Sequence, residues 1–531
     1  MSATDILIIG AGPTGLMLAL ELALQGITFR IVDSAPRRPE QSRAVILHSR
    51  TLELISRHKI MDELFQLGKE NMGMRMYTNQ KFVFGLDFQD LDYGDTQFGT
   101  PLMISQAETE RVLDKALSGY GLTVERPLKA ERVEQDDDGA TAWLRSPDGN
   151  EEKVSCKYVV GCDGSHSIVR KSTGLKFEGG VYPQEFILAD VRLKWDQPSL
   201  MHVNLGAGGF LMCLPLENDT FRLSCSRPRE WGKDTEPKIE HFKMAMDSLA
   251  PGNFEILSST WITRFRLHHR IVDNYRDRKF LLAGDSAHIH SPLGGQGMNA
   301  GMQDSVNLGW KLALVLRGEE TDAFLDTYNQ ERHRVGTHLV QTTDRAFEFV
   351  STANPFLLFL RNTLLPWIAP WLMRSKEARA RRFRFLSQLG VRYRHSSIVS
   401  SASTWMGTLK GGDRAPDGKI NGETGVKNLH ELFQGPGHHL ILFSGVGFGT
   451  MADEDLDKVA DTLKHSIPAA KIHKILDREP NFMGSYTDVD GALHKLYGFG
   501  GSGVVLVRPD GYIKFIGNTD SIEELERWTK A

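Results

Sequence analysis

The sequence predicts an α/β protein in which a β-sheet domain interrupts a Rossmann-like domain and another α/β domain follows. Residues 5–33 show a strand, a glycine turn, a helix and a second strand. Residues 280–301 repeat a strand followed by glycines, and segments of strand-like composition lie between the two. A chain of 531 residues has room for roughly two to four domains.

The composition is that of a globular protein, with 40% hydrophobic and 24% charged residues. A net charge of −4 provides no basic surplus, so nucleic acid is not an expected partner. Four cysteines without a C-x-x-C pair indicate a reducing compartment, and no basic segment precedes the apolar run at Ile6. We therefore expect a cytoplasmic protein without a secretory signal.

The N-terminal unit is typical of dinucleotide binding. In the turn GAGPTG, residues 10–15, the first glycine allows a tight turn and the second lets a pyrophosphate approach the backbone. The third glycine permits close packing of the helix on the strand, and the helix N-terminus offers free N–H groups to phosphates. Asp33 ends the second strand, where its carboxylate can accept hydrogen bonds from a ribose. This unit alone does not distinguish FAD from NAD.

A second glycine-rich element, LLAGDSAHIHSPLGGQGMNAG, begins at Leu281. Asp285 follows a buried strand, at the sheet edge where ligands of α/β proteins bind. The glycines at 294, 295 and 297 remove side chains, so that a flat ring can lie on the backbone. The spacing then predicts a helix over 299–316, whose N-terminal dipole would stabilise negative charge.

Three shorter motifs are weak by themselves. Arg43 follows the second strand and can neutralise phosphate charge. Gln106 precedes a predicted helix. Asp163 lies in a Cys-Asp-Gly turn after a third strand, and Arg170 follows it at helical spacing.

In this order and spacing, GAGPTG, CDGSHSIVR and GDSAHIHSPLGGQGMN resemble the class A flavoprotein aromatic monooxygenases, which have the p-hydroxybenzoate hydroxylase-like fold. The resemblance covers nearly the whole chain, and the layout is similar to the phenol hydroxylase-like subtype. It implies FAD held non-covalently, NADPH or NADH as co-substrate, and O2. The residues implied to bind FAD are Gly10, Gly12, Pro13, Thr14, Gly15, Asp33, Arg43, Gln106, Asp163, Asp285, Pro292, Gly295, Gly297, Met298 and Asn299.

The resemblance also implies a domain plan. The FAD-binding domain would comprise residues 1–75, 101–184 and 278–345, and the substrate-binding β domain residues 76–100 and 185–277. A helical connector over 346–398 and a thioredoxin-like domain over 399–531 would follow. The thioredoxin active-site position has SGVGFG at Ser444, without cysteine, so thiol redox chemistry is excluded there.

The activity implied by the resemblance is hydroxylation of a phenolic or polyketide-type aromatic through a flavin C4a-hydroperoxide. The catalytic candidates are Arg222, Arg264, His202 and Pro292. Arg222 stands out, although the tyrosine that phenol hydroxylase-like members carry a short way past it is absent. The alternative is a flavin-dependent dehydrogenase or reductase of the same fold acting on a non-aromatic substrate. A non-enzymatic FAD-binding module ranks last, because it would not need PLGGQGMN.

Several other features bear on partners. His288 and His290 form an H-x-H pair, but no third ligand is evident nearby, so we expect no metal. Residues 354–373 are apolar, yet Arg361 and two interior prolines argue against a single membrane-spanning helix. We expect packed or interface helices there, no membrane contact, and a homodimer acting on a small aromatic substrate.

Overall fold

The computed structural model describes residues 2–41, 44–70, 73–91, 93–206, 209–227, 235–292, 294–352, 354–372, 374–422, 425–447, 450–479 and 484–530. Its strands are β1 (Ser2–Ile9), β2 (Phe29–Val32), β3 (Ile46–Leu47), β4 (Lys69–Glu70), β5 (Gly73–Thr78), β6 (Lys81–Asp87), β7 (Leu102–Met103), β8 (Lys129–Gln135), β9 (Ala140–Arg145), β10 (Glu151–Gly161), β11 (Phe177–Trp195), β12 (Met201–Gly206), β13 (Gly209–Pro215), β14 (Thr220–Ser226), β15 (Phe254–Val272), β16 (Arg276–Asp277), β17 (Phe280–Leu282), β18 (His288–Ile289), β19 (Ile420–Asn421), β20 (His439–Phe443), β21 (Lys471–Leu476), β22 (Ser485–Asp488), β23 (Gly503–Val507) and β24 (Ile513–Asn518).

The helices of the same residues are α1 (Pro13–Leu24), α2 (Ser49–Ile55), α3 (Met61–Leu67), α4 (Gln106–Ser118), α5 (Ile168–Lys171), α6 (Ile239–Leu249), α7 (Gly297–Leu316), α8 (Asp326–Tyr328), α9 (Arg334–Ser351), α10 (Pro355–Thr363), α11 (Leu365–Leu372), α12 (Lys376–Leu386), α13 (Asp453–Ser466), α14 (Ala492–Tyr497) and α15 (Ile522–Lys530).

The first sheet confirms the predicted α/β architecture. Its strand order is β16-β17-β10-β1-β2, and β1 runs parallel to both β2 and β10. β17 is also parallel to β10, so the three strand ends that carry the predicted motifs lie side by side. Helices α1 and α7 pack on this sheet through a continuous apolar core that includes Leu18 and Leu308. The sheet therefore gathers sequence-distant motifs at one carboxyl edge.

The second sheet is eight-stranded, in the order β18-β15-β11-β14-β13-β12-β5-β6. One face, which we call the outer face, packs against α6 through residues such as Leu223 and Phe242. The opposite, inner face packs on α9 through Phe186 and Phe347, and on the start of β3 through Leu214. The inner face is therefore the side of this sheet that looks toward the first domain.

The C-terminal domain has a third sheet, ordered β19-β22-β21-β20-β23-β24. β20 and β21 are parallel and joined by α13, and β23–β24 form an antiparallel hairpin. Its classification as thioredoxin-like stays a prediction. The four cysteines are free thiols, and all are buried.

Residues 354–372 form the two short helices α10 and α11 rather than one long helix. In the part of the chain that the structure describes, no helix is both long enough and apolar enough to span a bilayer.

Candidate FAD and substrate site

The glycine turn after β1 is built as the motif predicts. Gly10 has a positive φ of 100°, which favours glycine. A Cβ on Gly15 would overlap the Gly10 carbonyl oxygen, so this glycine is needed for close packing of α1. A Cβ on Gly12 would meet only Glu110 Oε1, at 4.0 Å, and no side chain caps the helix that Pro13 begins. The open side of the turn therefore presents backbone N–H groups to an anion.

Asp33 and Arg126 hold this turn from two sides. Asp33 Oδ2 accepts a hydrogen bond from the Ala11 N–H over 2.7 Å. Arg126 Nη2 donates to the Ala11 carbonyl over 3.1 Å and so brings a positive charge to the turn. Sequence reasoning missed Arg126, because it lies in a connection without a motif and reaches Ala11 only through the fold.

Helix α4 contributes a polar pair beside the turn. Gln106, the first residue of the helix, donates from Nε2 to Glu110 Oε1 over 2.8 Å. Glu110 is buried, and its Oε2 has no hydrogen-bond partner among the described residues. Burial raises the pKa of Glu110 to about 7, although the bond from Gln106 opposes the shift. Sequence reasoning predicted Gln106 but missed Glu110. The one sequence feature that could have identified Glu110 is its position one helical turn after Gln106.

Arg170 links the Cys-Asp-Gly turn after β10 to the Gly-Asp turn after β17. Its Nη1 donates to the Ser286 carbonyl over 2.8 Å, and its Nη2 donates to the Ser165 carbonyl over 2.7 Å. Asp163 accepts the Ile168 N–H over 2.7 Å, and burial raises the pKa of its carboxyl group. The two motifs therefore form one rigid corner of the site.

The Gly-Asp turn is tied to α7. Asp304 Oδ2 accepts from the Gly284 N–H over 3.0 Å and lies 2.8 Å from His288 Nε2. Arg332 Nε donates to the other Asp304 oxygen over 2.6 Å. Asp285, the next residue of this turn, is exposed at the carboxyl edge of the sheet. His288 is engaged with a carboxylate, and within the described ranges no group of three or more His, Cys, Asp or Glu residues is arranged to hold a metal.

The loop that follows is held open by backbone geometry and by His48. Gly294 and Gly295 have positive φ values of 86° and 62°, and the Gly295 N–H bonds to the Pro292 carbonyl over 2.9 Å. His48 Nε2 donates to the Gly294 carbonyl over 2.7 Å. Burial lowers the pKa of His48 to about 4, so this link does not titrate near neutrality.

Helix α7 starts at Gly297, at the end of this loop. Its N-terminus has no side-chain cap, and Met298 is half-buried in the first turn. Asn299 accepts the His48 N–H over 2.8 Å and donates to the Ile46 carbonyl over 2.9 Å. Thr14 packs against Gly284 and Gly301, so α1, α7 and the Gly-Asp turn meet at one side chain.

These residues fit FAD. Two uncapped helix N-termini, the open side of Gly12 and the carboxylates of Asp33 and Asp285 line one sheet edge. The glycine loop offers backbone in place of side chains, as a flat ring requires. The predicted contact of Arg43 lies outside the described residues.

The inner face of the eight-stranded sheet carries a charged pair beside Leu214, which packs with Ile46. Arg222 Nε and Nη2 donate to the two oxygens of Asp190, each over 2.7 Å. Arg222 is buried, its guanidinium carbon lies 5.4 Å from the centre of the Trp261 ring, and its Nη1 has no partner among the described residues. Ser224 lies on the same face one pair further along β14.

Two other catalytic candidates lie on the outer face. His202 on β12 lies opposite Cys213 on β13, and Cys213 packs toward α6. The Nε2 of His202 donates to the Pro198 carbonyl over 2.8 Å. Arg264 on β15 lies opposite Ile187 on β11 and therefore also points to the outer face. Its Nη2 lies 3.4 Å from Glu236 Oε1. The sheet therefore separates these two residues from Arg222.

Comparison with known proteins identifies the family. The FAD binding domain family matches residues 3–343. The chain is 30% identical to 6-methylpretetramide 4-monooxygenase of Streptomyces rimosus, over 96% of this chain and 90% of that protein. It is 30% identical to pentachlorophenol 4-monooxygenase of Sphingobium chlorophenolicum, over 96% of this chain and 93% of that protein.

A solved structure agrees over the full length. The anhydrotetracycline hydroxylase from Streptomyces rimosus superposes with a TM-score of 0.73 at 27% identity, covering 98% of this chain and 96% of that chain. With the glycine turn, the two aspartate turns and the glycine loop in one site, the chain belongs to the class A flavoprotein aromatic monooxygenases.

Proposed function

We propose that the protein hydroxylates a phenolic or polyketide-type aromatic compound, using FAD, NAD(P)H and O2. When bound and reduced, FAD supplies the oxygen-activating chemistry of this class. Relatives that match nearly the full chain are named as monooxygenases of a pretetramide and of pentachlorophenol, both ring-bearing compounds. This supports an aromatic substrate over the non-aromatic substrate of the alternative.

The observation that carries the proposal is the buried Arg222 on the inner face. Asp190 binds two of its nitrogen atoms, which orients the guanidinium group and leaves Nη1 for a ligand. A positive donor in a buried site lowers the pKa of a phenol that binds to it and so favours the phenolate. We propose that Arg222 binds the substrate oxygen and makes the ring electron-rich.

The sheet has a second role in this proposal. Apolar inner-face residues such as Met212 and Leu214 pack with Val45 and Ile46 beside the glycine loop. An apolar wall at this position excludes water from the reacting centre, which suppresses unproductive side reactions.

Stopped-flow kinetics with NADPH tests the proposal against a panel of phenols and phenolic polyketides. We expect one compound to accelerate bleaching of the flavin absorbance and to gain one oxygen atom by mass spectrometry. If every compound leaves the rate of flavin reduction unchanged and none is oxygenated, the dehydrogenase or reductase alternative replaces the hydroxylase.

A further inference from the structure

Helices α10 and α11 expose apolar side chains, whereas ordinary surface helices expose polar ones. Arg361 is only 1% exposed, and its Nη2 donates inward to the Gly206 carbonyl over 2.8 Å. On the same helix Phe356 is 67% exposed and Phe359 is 61% exposed. The polar side chain is therefore inside, and the aromatic side chains face outward.

Helix α11 continues the outward apolar stripe. Its exposed apolar residues, together with Leu364 just before it, recur at i, i+3, i+4, i+7 and i+8, the spacing that normally faces a protein core. Trp367 is 80% exposed and Trp371 is 70% exposed. The stripe comprises Leu364, Trp367, Ile368, Trp371 and Leu372.

The four exposed aromatic rings alone present on the order of 500 Å² of apolar surface. This is as large as the largest apolar patch of a typical monomer, and such patches mark interaction sites. The sequence predicted packed or interface helices here, and the structure leaves the apolar stripe uncovered.

A basic cluster adjoins the stripe. Residues 374–384 contain six basic residues and one acidic residue, Glu377, in a chain whose net charge is −4. Arg374, Lys376 and Arg381 are exposed, and none of them has an ion-pair partner among the described residues. A surface groove of about 420 Å³ joins the two features and is lined by Trp371, Leu372, Arg374, Ser375, Ala378 and Arg382.

We propose that α10, α11 and α12 form a docking surface for an anionic lipid bilayer. Outward tryptophans and phenylalanines with a neighbouring arginine-rich helix match the chemistry of an interfacial membrane helix. A second copy of the chain fits less well, because a two-fold contact sets a surface against itself and would bring like charges together. This proposal does not depend on the identity of the substrate, and it revises the expectation of no membrane contact.

Helix α12 of the docking surface is linked to the start of α7. Gln296, at the start of α7, donates to the Leu386 carbonyl at the end of α12 over 3.2 Å. The basic helix is therefore anchored beside the glycine loop, and a protein docked in this way would place its site close to the bilayer surface.

The test is sedimentation of the full-length, FAD-loaded protein with vesicles at low salt. Vesicles of equal parts phosphatidylglycerol and phosphatidylcholine should bind it, and pure phosphatidylcholine vesicles should bind it at least tenfold more weakly. W367S/W371S should reduce binding roughly tenfold or more. The triple variant R374Q/K376Q/R381Q should reduce it by roughly fivefold per residue and weaken its salt dependence.

Matched controls test whether vesicle binding depends on this surface rather than on exposed apolar side chains or positive charge elsewhere. Met406→Ser removes an apolar side chain that is 91% exposed in the C-terminal domain. K243Q/K427Q/K495Q removes the same charge from exposed sites elsewhere. Both controls should bind vesicles as the parent does, and all variants should keep their flavin spectrum and thermal midpoint.

Three results would overturn the proposal: no sedimentation with anionic vesicles, sedimentation unaffected by the tryptophan and arginine variants, or a dimer in light scattering that W367S/W371S converts to a monomer. The last result would make a second copy the occupant of the surface.

Discussion

Gln106 donates from its side-chain amide to Glu110 Oε1 over 2.8 Å, and this pair lies against the open side of Gly12. A carboxyl group whose pKa is raised to about 7 thus adjoins the turn that we expect to bind the pyrophosphate of FAD, which carries two negative charges. The bound anion disfavours the carboxylate further, so the complex holds more protons than the free protein near neutral pH. FAD affinity should therefore fall as pH rises from 6 to 8, by at most about tenfold per pH unit.

Fluorescence titration of the apoprotein with FAD measures this dependence. Glu110→Gln should abolish most of it and bind FAD at pH 8 more tightly than the parent. Glu108→Gln changes a half-exposed carboxylate on the same helix and should retain the parental profile. A pH-independent affinity in the parent would contradict the assignment.

Gly12 and Gly15 of the same turn should have different roles: Gly12 in FAD binding and Gly15 in the stability of the fold. Gly12 has an ordinary φ of −74° and space for a Cβ, so Gly12→Ala should change the stability of the apoprotein by less than about 0.5 kcal/mol. It should still weaken FAD binding roughly tenfold or more, because the new methyl group occupies the approach of the pyrophosphate. Gly15→Ala should instead cost roughly 1–3 kcal/mol, since its Cβ overlaps the Gly10 carbonyl.

Urea unfolding of both apoproteins, with FAD titration of whichever folds, distinguishes these effects. An unstable Gly12→Ala apoprotein would show that this glycine serves the fold rather than the cofactor.

The two faces of the eight-stranded sheet predict opposite outcomes for two arginines. Arg222→Gln should raise KM for the aromatic substrate or lower kcat/KM by roughly 10- to 100-fold, because it removes a charge-assisted hydrogen bond from a buried site. Arg264→Gln lies on the outer face and should leave these constants within about twofold. Steady-state kinetics over pH 6–9 measures both.

The Arg222 variant should respond most to substrate pKa, with the largest loss for the least acidic phenols. Equal losses in both variants would remove Arg222 from the substrate site. Paired substitution R222Q/D190N checks that an uncompensated Asp190 carboxylate is not the cause of the loss.

A buried charge network joins the C-terminal domain to α7, and we expect it to stabilise the protein. Glu331 accepts hydrogen bonds from Arg508 Nη1 over 2.6 Å and from Lys311 Nζ over 2.8 Å, and all three side chains are buried. Burial alone would raise the pKa of Glu331, but the two cations outweigh it and lower the pKa. Glu331→Gln should cost about 3–5 kcal/mol of unfolding free energy, because it leaves the buried Lys311 ammonium without its carboxylate partner and leaves Arg508 with Asp510 alone.

Urea unfolding followed by circular dichroism measures this cost. Asp455→Asn removes the partner of Lys458 in an exposed pair and should cost less than about 1 kcal/mol. Similar costs for the two variants would mean that the network contributes little to joining the domains.

The sequence determined the features that local backbone chemistry dictates. The glycine turn before α1, Asp33 at the end of β2, Asp285 after β17 and the loop before α7 lie where their spacing predicts them. Turns of this kind depend on residues within one short segment, so a sequence pattern is sufficient to identify them.

Only the tertiary structure decided which side chains meet. Arg126 reaches the glycine turn across the fold, and the separation of Arg222 from His202 depends on the register of β13 with β12 and β14. The outward aromatic face of α11 has the same origin, because helical periodicity defines a stripe but not the direction it faces. Long-range packing sets these directions, and no local signal carries them.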